Sequence, residues 1–166
     1  MKHIIGTTKN DMSVYVDLIH SKAAKHISAQ PQLLMFIKEA VRAQSPTKEH
    51  VAIELNMGRS VGYDFTVPTT DKDVVFFAQL IKSTIFTPFV KNGSPTTTTH
   101  LSIVLHKTSD SEYELIDAWI GDMSPALPGS PEESKDSKPY WSSHAIVYTN
   151  QPLQTRSITK VNPYED

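Results

Sequence analysis

Three histidines stand at the starts of three separate predicted strands: His50, His100 and His144. An imidazole with its ordinary pKa near ~6.5 can take up and release protons at neutral pH. Two such groups on one open sheet face could therefore run phosphodiester transfer without a metal. One would remove the 2′-hydroxyl proton and the other would protonate the leaving oxygen. The alternative is that each histidine is a solvated strand end with no catalytic role.

Two cations and a hydroxyl lie near these histidines in the sequence. Arg59 stands at a predicted hairpin turn, Lys91 precedes a predicted strand, and Thr99 neighbours His100. A positioned cation can hold the negative charge that develops on a phosphate in the transition state. The candidate catalytic residues are therefore His50, His100, His144, Arg59, Lys91 and Thr99.

The spacing of the histidines within single strands argues against a metal site. His100 and His106 share a strand face, but six residues of strand separate them by about 20 Å. His50 and Glu54 are about 13 Å apart for the same reason. Neither pair can chelate one ion. The sequence also lacks HExxH, P-loop and GxGxxG motifs, so we expect neither a metal nor another cofactor.

A second hypothesis is a non-catalytic binding module. Trp119, Tyr140 and Trp141, together with the proline-rich segment 122–141, could form an aromatic groove for a protein or peptide partner. The simpler alternative is that Trp119 is a core residue and the loop covers a sheet edge. Convergence of two histidines with a cation would favour the enzyme, and dispersed histidines would favour the binding module.

The clearest structural signal lies in Thr96–Gly121, which predicts two antiparallel strands joined by a polar turn. In the first strand, apolar residues alternate with polar ones, which is the period of a half-buried strand. In the second strand, Ile116, Ala118 and Ile120 share a face by the same period. The predicted core positions are Leu101, Ile103, Leu105, Ile116 and Ile120.

Three segments of this region, TPFVKN, THLSIVL and YELIDAWIG, resemble the late strands of the barnase–EndoU–colicin–RelE class of ribonuclease folds. In that class a strand with Arg or Lys precedes a strand with Thr or Ser, and a terminal strand follows. The resemblance covers roughly Thr47–Gly121. It implies helices before an antiparallel sheet, and RNA as the substrate. The chain departs from the pattern at Pro88, where an Arg would fit, and at Ile116–Trp119, which replaces a Thr-Ala-Tyr sequence.

Hydrophobic periodicity predicts further elements. Apolar residues at helical spacing predict a first helix from Asp11 to about Ile27, a second that begins near Pro31 and ends at Ser45, and a third from Asp71 to about Ser83. Alternating residues in His50–Met57 and in 61–67 predict a hairpin. Residues 84–90 predict a strand that its proline places at an edge or bulge.

These elements together predict an α+β fold with a mostly antiparallel sheet. An N-terminal helical hairpin and a third helix would pack on one face. We expect one domain, residues 1–166. It comprises a helical hairpin at 1–45, a sheet core with one helix at 50–120, the long proline-rich loop at 122–141, and late strands and a tail at 142–166.

Composition limits the function further. The 166 residues contain no cysteine, which excludes disulfides and thiolate sites, and carry a formal net charge of −2. That charge argues against a broad nucleic-acid-coating surface but leaves room for a small anion pocket. Neither a leader nor a membrane span is apparent. We expect a cytoplasmic protein whose partner is RNA or a protein or peptide.

Overall fold

The computed structural model describes residues 2–148 and 155–165. Its chain forms two compact units. The first unit consists of Met1–Asp64 and Thr97–Met123, and the second consists of Phe65–Thr96 and Ser124–Asp166. The single domain predicted over residues 1–166 stays a prediction, and each unit is considered separately below. No helix in the described ranges is both long enough and apolar enough to cross a membrane.

The described residues mix helices and strands, with strands the more abundant. The strands are β1 (Lys2–Thr7), β2 (Ser13–Asp17), β3 (His50–Asn56), β4 (Gly62–Asp64), β5 (Thr66–Pro68), β6 (Val75–Leu80), β7 (Phe86–Val90), β8 (Thr96–Thr98), β9 (His100–Ser109), β10 (Glu112–Ile120), β11 (His144–Val147) and β12 (Thr155–Thr159). The helices are α1 (Lys22–Ala29), α2 (Leu33–Arg42) and α3 (Ser137–Trp141).

The first unit is built on a five-stranded sheet of order β1-β2-β10-β9-β3. The predicted central hairpin is confirmed, because β9 and β10 pair antiparallel. β2 runs parallel to β10, whereas β1 pairs antiparallel with β2 and β3 pairs antiparallel with β9. Helices α1 and α2 pack on this sheet, α1 mainly against β10 and α2 mainly against β1.

The core of the first unit confirms most of the predicted inward positions. Leu101, Ile103 and Leu105 are fully buried, and Ile120 is also buried. The prediction for Ile116 is wrong, because this residue is only half-buried. The β9–β10 register shifts between Leu115 and Asp117, which leaves Ile116 without a partner. Such a bulge adds one residue to the strand and exchanges its two faces beyond that point.

The predicted N-terminal helical hairpin is wrong in its first half. Residues 13–17 form β2 rather than a helix, and β1 precedes it. Val14 and Val16 are fully buried while the alternate residues Ser13, Tyr15 and Asp17 are half-buried, as expected for a strand. β-branched and aromatic residues suit a strand that has a neighbour on each side. Two short helices, α1 and α2, follow instead of two long ones.

The predicted hairpin between residues 50–57 and 61–67 is also wrong. β3 confirms the first strand, but its partner is β9. The return segment divides into β4 and β5, of which β4 pairs with β8 and β5 pairs with β11. After the turn at 58–60, the chain therefore does not return to pair with β3.

The second unit is built on a five-stranded sheet of order β12-β6-β7-β11-β5. The helix predicted over 71–83 is wrong, because β6 occupies its centre and pairs antiparallel with β7. β7 is an inner strand and its register with β6 is continuous, so its predicted place at an edge or bulge is wrong as well. In the parallel ladder between β7 and β11, only Phe89 and Val90 of β7 are paired. Pro88 precedes both residues, so its missing N–H removes no hydrogen bond from that ladder.

The late part of the chain agrees in outline with the sequence. β11 and β12 confirm the late strands predicted within residues 142–166. The segment 122–141 is not wholly irregular, because its last five residues form α3. Trp141 ends this helix and is buried.

Truncation of Ile103 tests the register of the central sheet. Ile103→Ala should lower the free energy of unfolding by about 2–5 kcal/mol, because a fully buried side chain leaves a cavity. Chemical denaturation measures this change. Ile19→Ala is the matched control, since Ile19 is 64% exposed and its truncation should change stability by no more than about 0.5 kcal/mol. Equal stability of wild type and Ile103→Ala would contradict the register.

Candidate functional site

Among the residues that the structure describes, one group of histidine and acidic side chains is close enough to share an ion. It consists of Glu49, His50 and His106, and their candidate ligand atoms all lie within 4.8 Å of one another. The two imidazole rings are stacked, with centroids 4.5 Å apart and an interplanar angle of 24°. Their Nδ1 atoms are 3.1 Å apart. We call these three residues the histidine cluster.

The β3–β9 register creates this cluster. His50 is the cross-strand partner of His106, at the end of a ladder whose inner pairs are Val51 with Leu105 and Ile53 with Ile103. Burial of those apolar partners fixes the register, because a slip of one residue would turn the buried side chains to the other face. Packing inside the sheet therefore holds the two histidines together at its surface.

The segment before β3 is tied to the sheet beneath it. The hydroxyl of Tyr113 donates a hydrogen bond of 2.6 Å to the carbonyl of Lys48. Burial raises the pKa of Tyr113, which keeps this hydroxyl protonated as a donor. The backbone N–H of Lys107 donates a hydrogen bond of 2.7 Å to the carbonyl of Glu49. Glu49 is therefore fixed beside the strand end by its backbone.

Solvent reaches the histidine cluster from two open grooves. One, of about 360 Å³, is lined by residues that include Pro46, Lys48 and His50. The other, of about 420 Å³, is lined by residues that include Glu49 and Lys107. Glu49 and His50 are exposed and His106 is half-buried. Water and a small ion can therefore reach Glu49 and His50 from these grooves.

The structure does not bring His50 and His100 together. His100 is the partner of Asn56 at the other end of the β3–β9 ladder, six residues from His106, or about 20 Å along the strand. There its Nδ1 lies 2.5 Å from a carboxylate oxygen of Asp122. Thr99 accepts a backbone hydrogen bond from Met57. His100 and Thr99 therefore belong to the opposite end of the sheet from the histidine cluster.

Arg59 is engaged by a carboxylate. Its two terminal nitrogens donate to the two oxygens of Glu39 at 3.0 and 2.6 Å, and its guanidinium lies 4.9 Å from the centre of the Phe36 ring. The hydrogen bond from Arg59 lowers the pKa of Glu39. This geometry indicates an exposed clamp between α2 and the 58–60 turn rather than a free cation.

The other predicted residues of the second unit are placed as follows. His144 stacks on Tyr140, with ring centroids 4.0 Å apart and an interplanar angle of 2°. Trp141 is buried, and its indole N–H donates to the carbonyls of Pro125 and Ala126 at 3.1 Å each. Trp141 thus anchors the proline-rich segment instead of lining an open groove.

Two residues remain to be placed. Lys91 of the second unit lies over the ring of Phe76, with Nζ 4.5 Å from the ring centre. Trp119 of the first unit is half-buried, and its indole N–H donates a hydrogen bond of 3.0 Å to the carbonyl of Asp122. Each therefore already has a contact within its own unit.

Comparison with known proteins adds no relative. No protein-family model matches the chain, and no curated protein or solved structure is significantly similar to it. The resemblance to the ribonuclease class stays a prediction.

Sequence reasoning missed the histidine cluster because it tested metal ligands along single strands. It rejected His106 as a partner of His100, and it never paired His106 with His50. The available signal was the matching alternation of residues 50–56 and 100–106, which allows the antiparallel pairing that the structure shows. The hairpin predicted between residues 50–57 and 61–67 assigned a different partner to the same strand, so the pairing with residues 100–106 was not considered.

The ring contact can be tested directly by NMR. In His106→Ala, the ring nitrogen resonances of His50 should shift, because its stacking partner and the nitrogen 3.1 Å away are removed. A long-range ¹H–¹⁵N spectrum measures the change. The His100 resonances should stay in place and provide the internal control. An unchanged His50 ring would show that the two side chains do not meet.

Proposed function

We propose that the first unit binds a divalent transition-metal ion, with Zn²⁺ as the best match, through Glu49, His50 and His106. The observation that carries this proposal is the 3.1 Å separation of the two imidazole Nδ1 atoms beside a carboxylate. Two nitrogens bound to one ion at about 2.0–2.1 Å are about 2.8–3.4 Å apart when the angle between them is octahedral to tetrahedral. The present separation of the two Nδ1 atoms lies within that range.

The donor types favour this class of ion. Two histidines and one carboxylate are a ligand set of catalytic zinc sites, which leave at least one position to water. Ca²⁺ and Mg²⁺ instead prefer oxygen ligands throughout. Three protein ligands on an open surface would leave room for a bound water, so the site would be suited to a reactive ion rather than to a closed structural one.

Binding requires a change in the stacked rings. The lone pair of each Nδ1 lies in its own ring plane, and two planes inclined by only 24° do not meet between the nitrogens. One ring must therefore turn before both nitrogens bind the same ion. His50 is exposed and has the space to turn.

Metal-independent RNA cleavage through His50, His100 and His144 stays a separate proposal. It is supported by the residue types and not by the placement of His50 and His100. The two proposals differ in one measurable respect. Cleavage in the presence of a chelator that is lost in His100→Ala would support the metal-independent enzyme.

Calorimetric titration of the untagged protein with Zn²⁺ tests the metal site. Wild type should bind one ion at the cluster. His50→Ala and His106→Ala should each weaken this binding at least about tenfold, because each removes a ligand. Glu49→Gln should also weaken it, since the amide carries no charge.

His144→Ala is the matched control, because it removes a half-buried imidazole that lies in the second unit. It should bind Zn²⁺ as tightly as wild type. Substitution with Co²⁺ gives a second readout, in which the visible absorption should indicate nitrogen ligands in wild type and weaken in His106→Ala. Equal Zn²⁺ affinity of wild type and His106→Ala would overturn the proposal.

A further inference from the structure

The sheet of the second unit has an apolar face that is not its core. Val75, Val90, Ala145 and Val147 belong to the core cluster or pack on it. The alternate positions of the same strands point to the other face. There Phe76 is the cross-strand partner of Phe89, and Ile158 is the partner of Ala78.

The residues of this other face surround a shallow pocket of about 70 Å³. We call it the aromatic pocket, and its lining residues are Phe76, Ala78, Phe89, Lys91, Tyr148 and Ile158. Phe89 and Tyr148 meet edge to face, with centroids 6.1 Å apart and an interplanar angle of 82°. Phe76, Phe89 and Tyr148 are half-buried and Ile158 is 56% exposed. Aromatic surface is therefore accessible on this side of the sheet.

Two lysines stand over the same ring of this pocket. Nζ of Lys91 lies 4.5 Å from the centre of the Phe76 ring, and Nζ of Lys160 lies 5.4 Å from it. Within residues 2–148 and 155–165, neither lysine forms a salt bridge with a carboxylate. Two positive charges are thus held at an aromatic surface without a neutralising side chain.

We propose that the aromatic pocket binds single-stranded nucleic acid. Lys91 and Lys160 would move from their positions over the Phe76 ring to contact the flanking phosphates, and a base would then stack on Phe76 beside Phe89. Aromatic rings accept any base because every base has a π-face, and lysines follow the phosphates. An acidic peptide would use the two charges but would gain little from the planar rings. This inference concerns the second unit and does not rest on the metal site.

The test is fluorescence anisotropy with a labelled single-stranded oligonucleotide of about ten nucleotides, at low ionic strength and with a chelator present. The chelator keeps the histidine cluster free of metal, so a failed metal proposal would not affect this assay. Wild type should bind the oligonucleotide. Phe76→Leu should weaken binding by about fivefold or more, because stacking on one aromatic ring is lost.

The lysines provide a second and more specific readout. In the double variant Lys91→Gln and Lys160→Gln, the slope of log affinity against log salt should fall by about 0.7 for each lost phosphate contact. The matched control is Lys72→Gln with Lys135→Gln, two exposed lysines of the same unit, and it should keep the wild-type slope. The lysines are not core residues, so the comparison of the two lysine pairs tests the proposal even if Phe76→Leu does not fold.

Several outcomes would overturn the proposal. These are no binding by wild type at low salt, an equal loss in the two lysine pairs, or equal binding of a duplex of the same sequence. Displacement of the oligonucleotide by a free mononucleotide at equal concentration would also overturn it, since the ligand would then be a nucleotide rather than a strand.

Discussion

Burial of one face of β9 determines the arrangement of the first unit. Leu101, Ile103 and Leu105 are completely removed from solvent, and each pairs with an apolar residue of β3. Because side chains alternate along a strand, a slip of one residue would turn these buried side chains to the other face. The register then decides which polar residues meet at the ends of the ladder, and it places His50 beside His106. A surface cluster is thus positioned by the core beneath it.

The bulge in β10 shows how one extra residue changes which side chains of a strand are buried. Strict alternation would place Tyr113 and Leu115 on the face opposite Ala118 and Ile120. All four are buried, because the extra residue at Ile116 exchanges the faces between them. Tyr113 therefore reaches the core side, where its hydroxyl anchors Lys48. The segment that carries Glu49 depends in this way on an irregularity three residues after that tyrosine.

Sequence reasoning succeeded where the alternation of residues fits only a strand and failed where the same residues also fit a helix. The β9–β10 hairpin has its strands and its turn in one stretch, and its alternation predicted it. β2 and β6 were assigned to helices, because Val14 and Leu18, or Val74 and Phe77, also satisfy a helical period. Each has one distant neighbour in its sheet, β10 for β2 and β12 for β6, but its other neighbour is adjacent in the chain, β1 for β2 and β7 for β6. Pro88 led to the wrong prediction of an edge or bulge for β7. A proline removes only the ladder hydrogen bond at its own position, so the rest of the strand can still pair on both sides.

The same limit explains why the strongest site hypotheses from the sequence were not the ones that the geometry favours. Spacing along a chain can test whether two residues of one strand share an ion, and it correctly separates His100 from His106. It cannot test partners on neighbouring strands, which lie about 5 Å apart whatever their separation in sequence. His50 with His106 and Phe76 with Phe89 are both such cross-strand pairs. In a protein made mainly of sheets, chemistry is assembled across strands, so strand register must be known before residues can be grouped into sites.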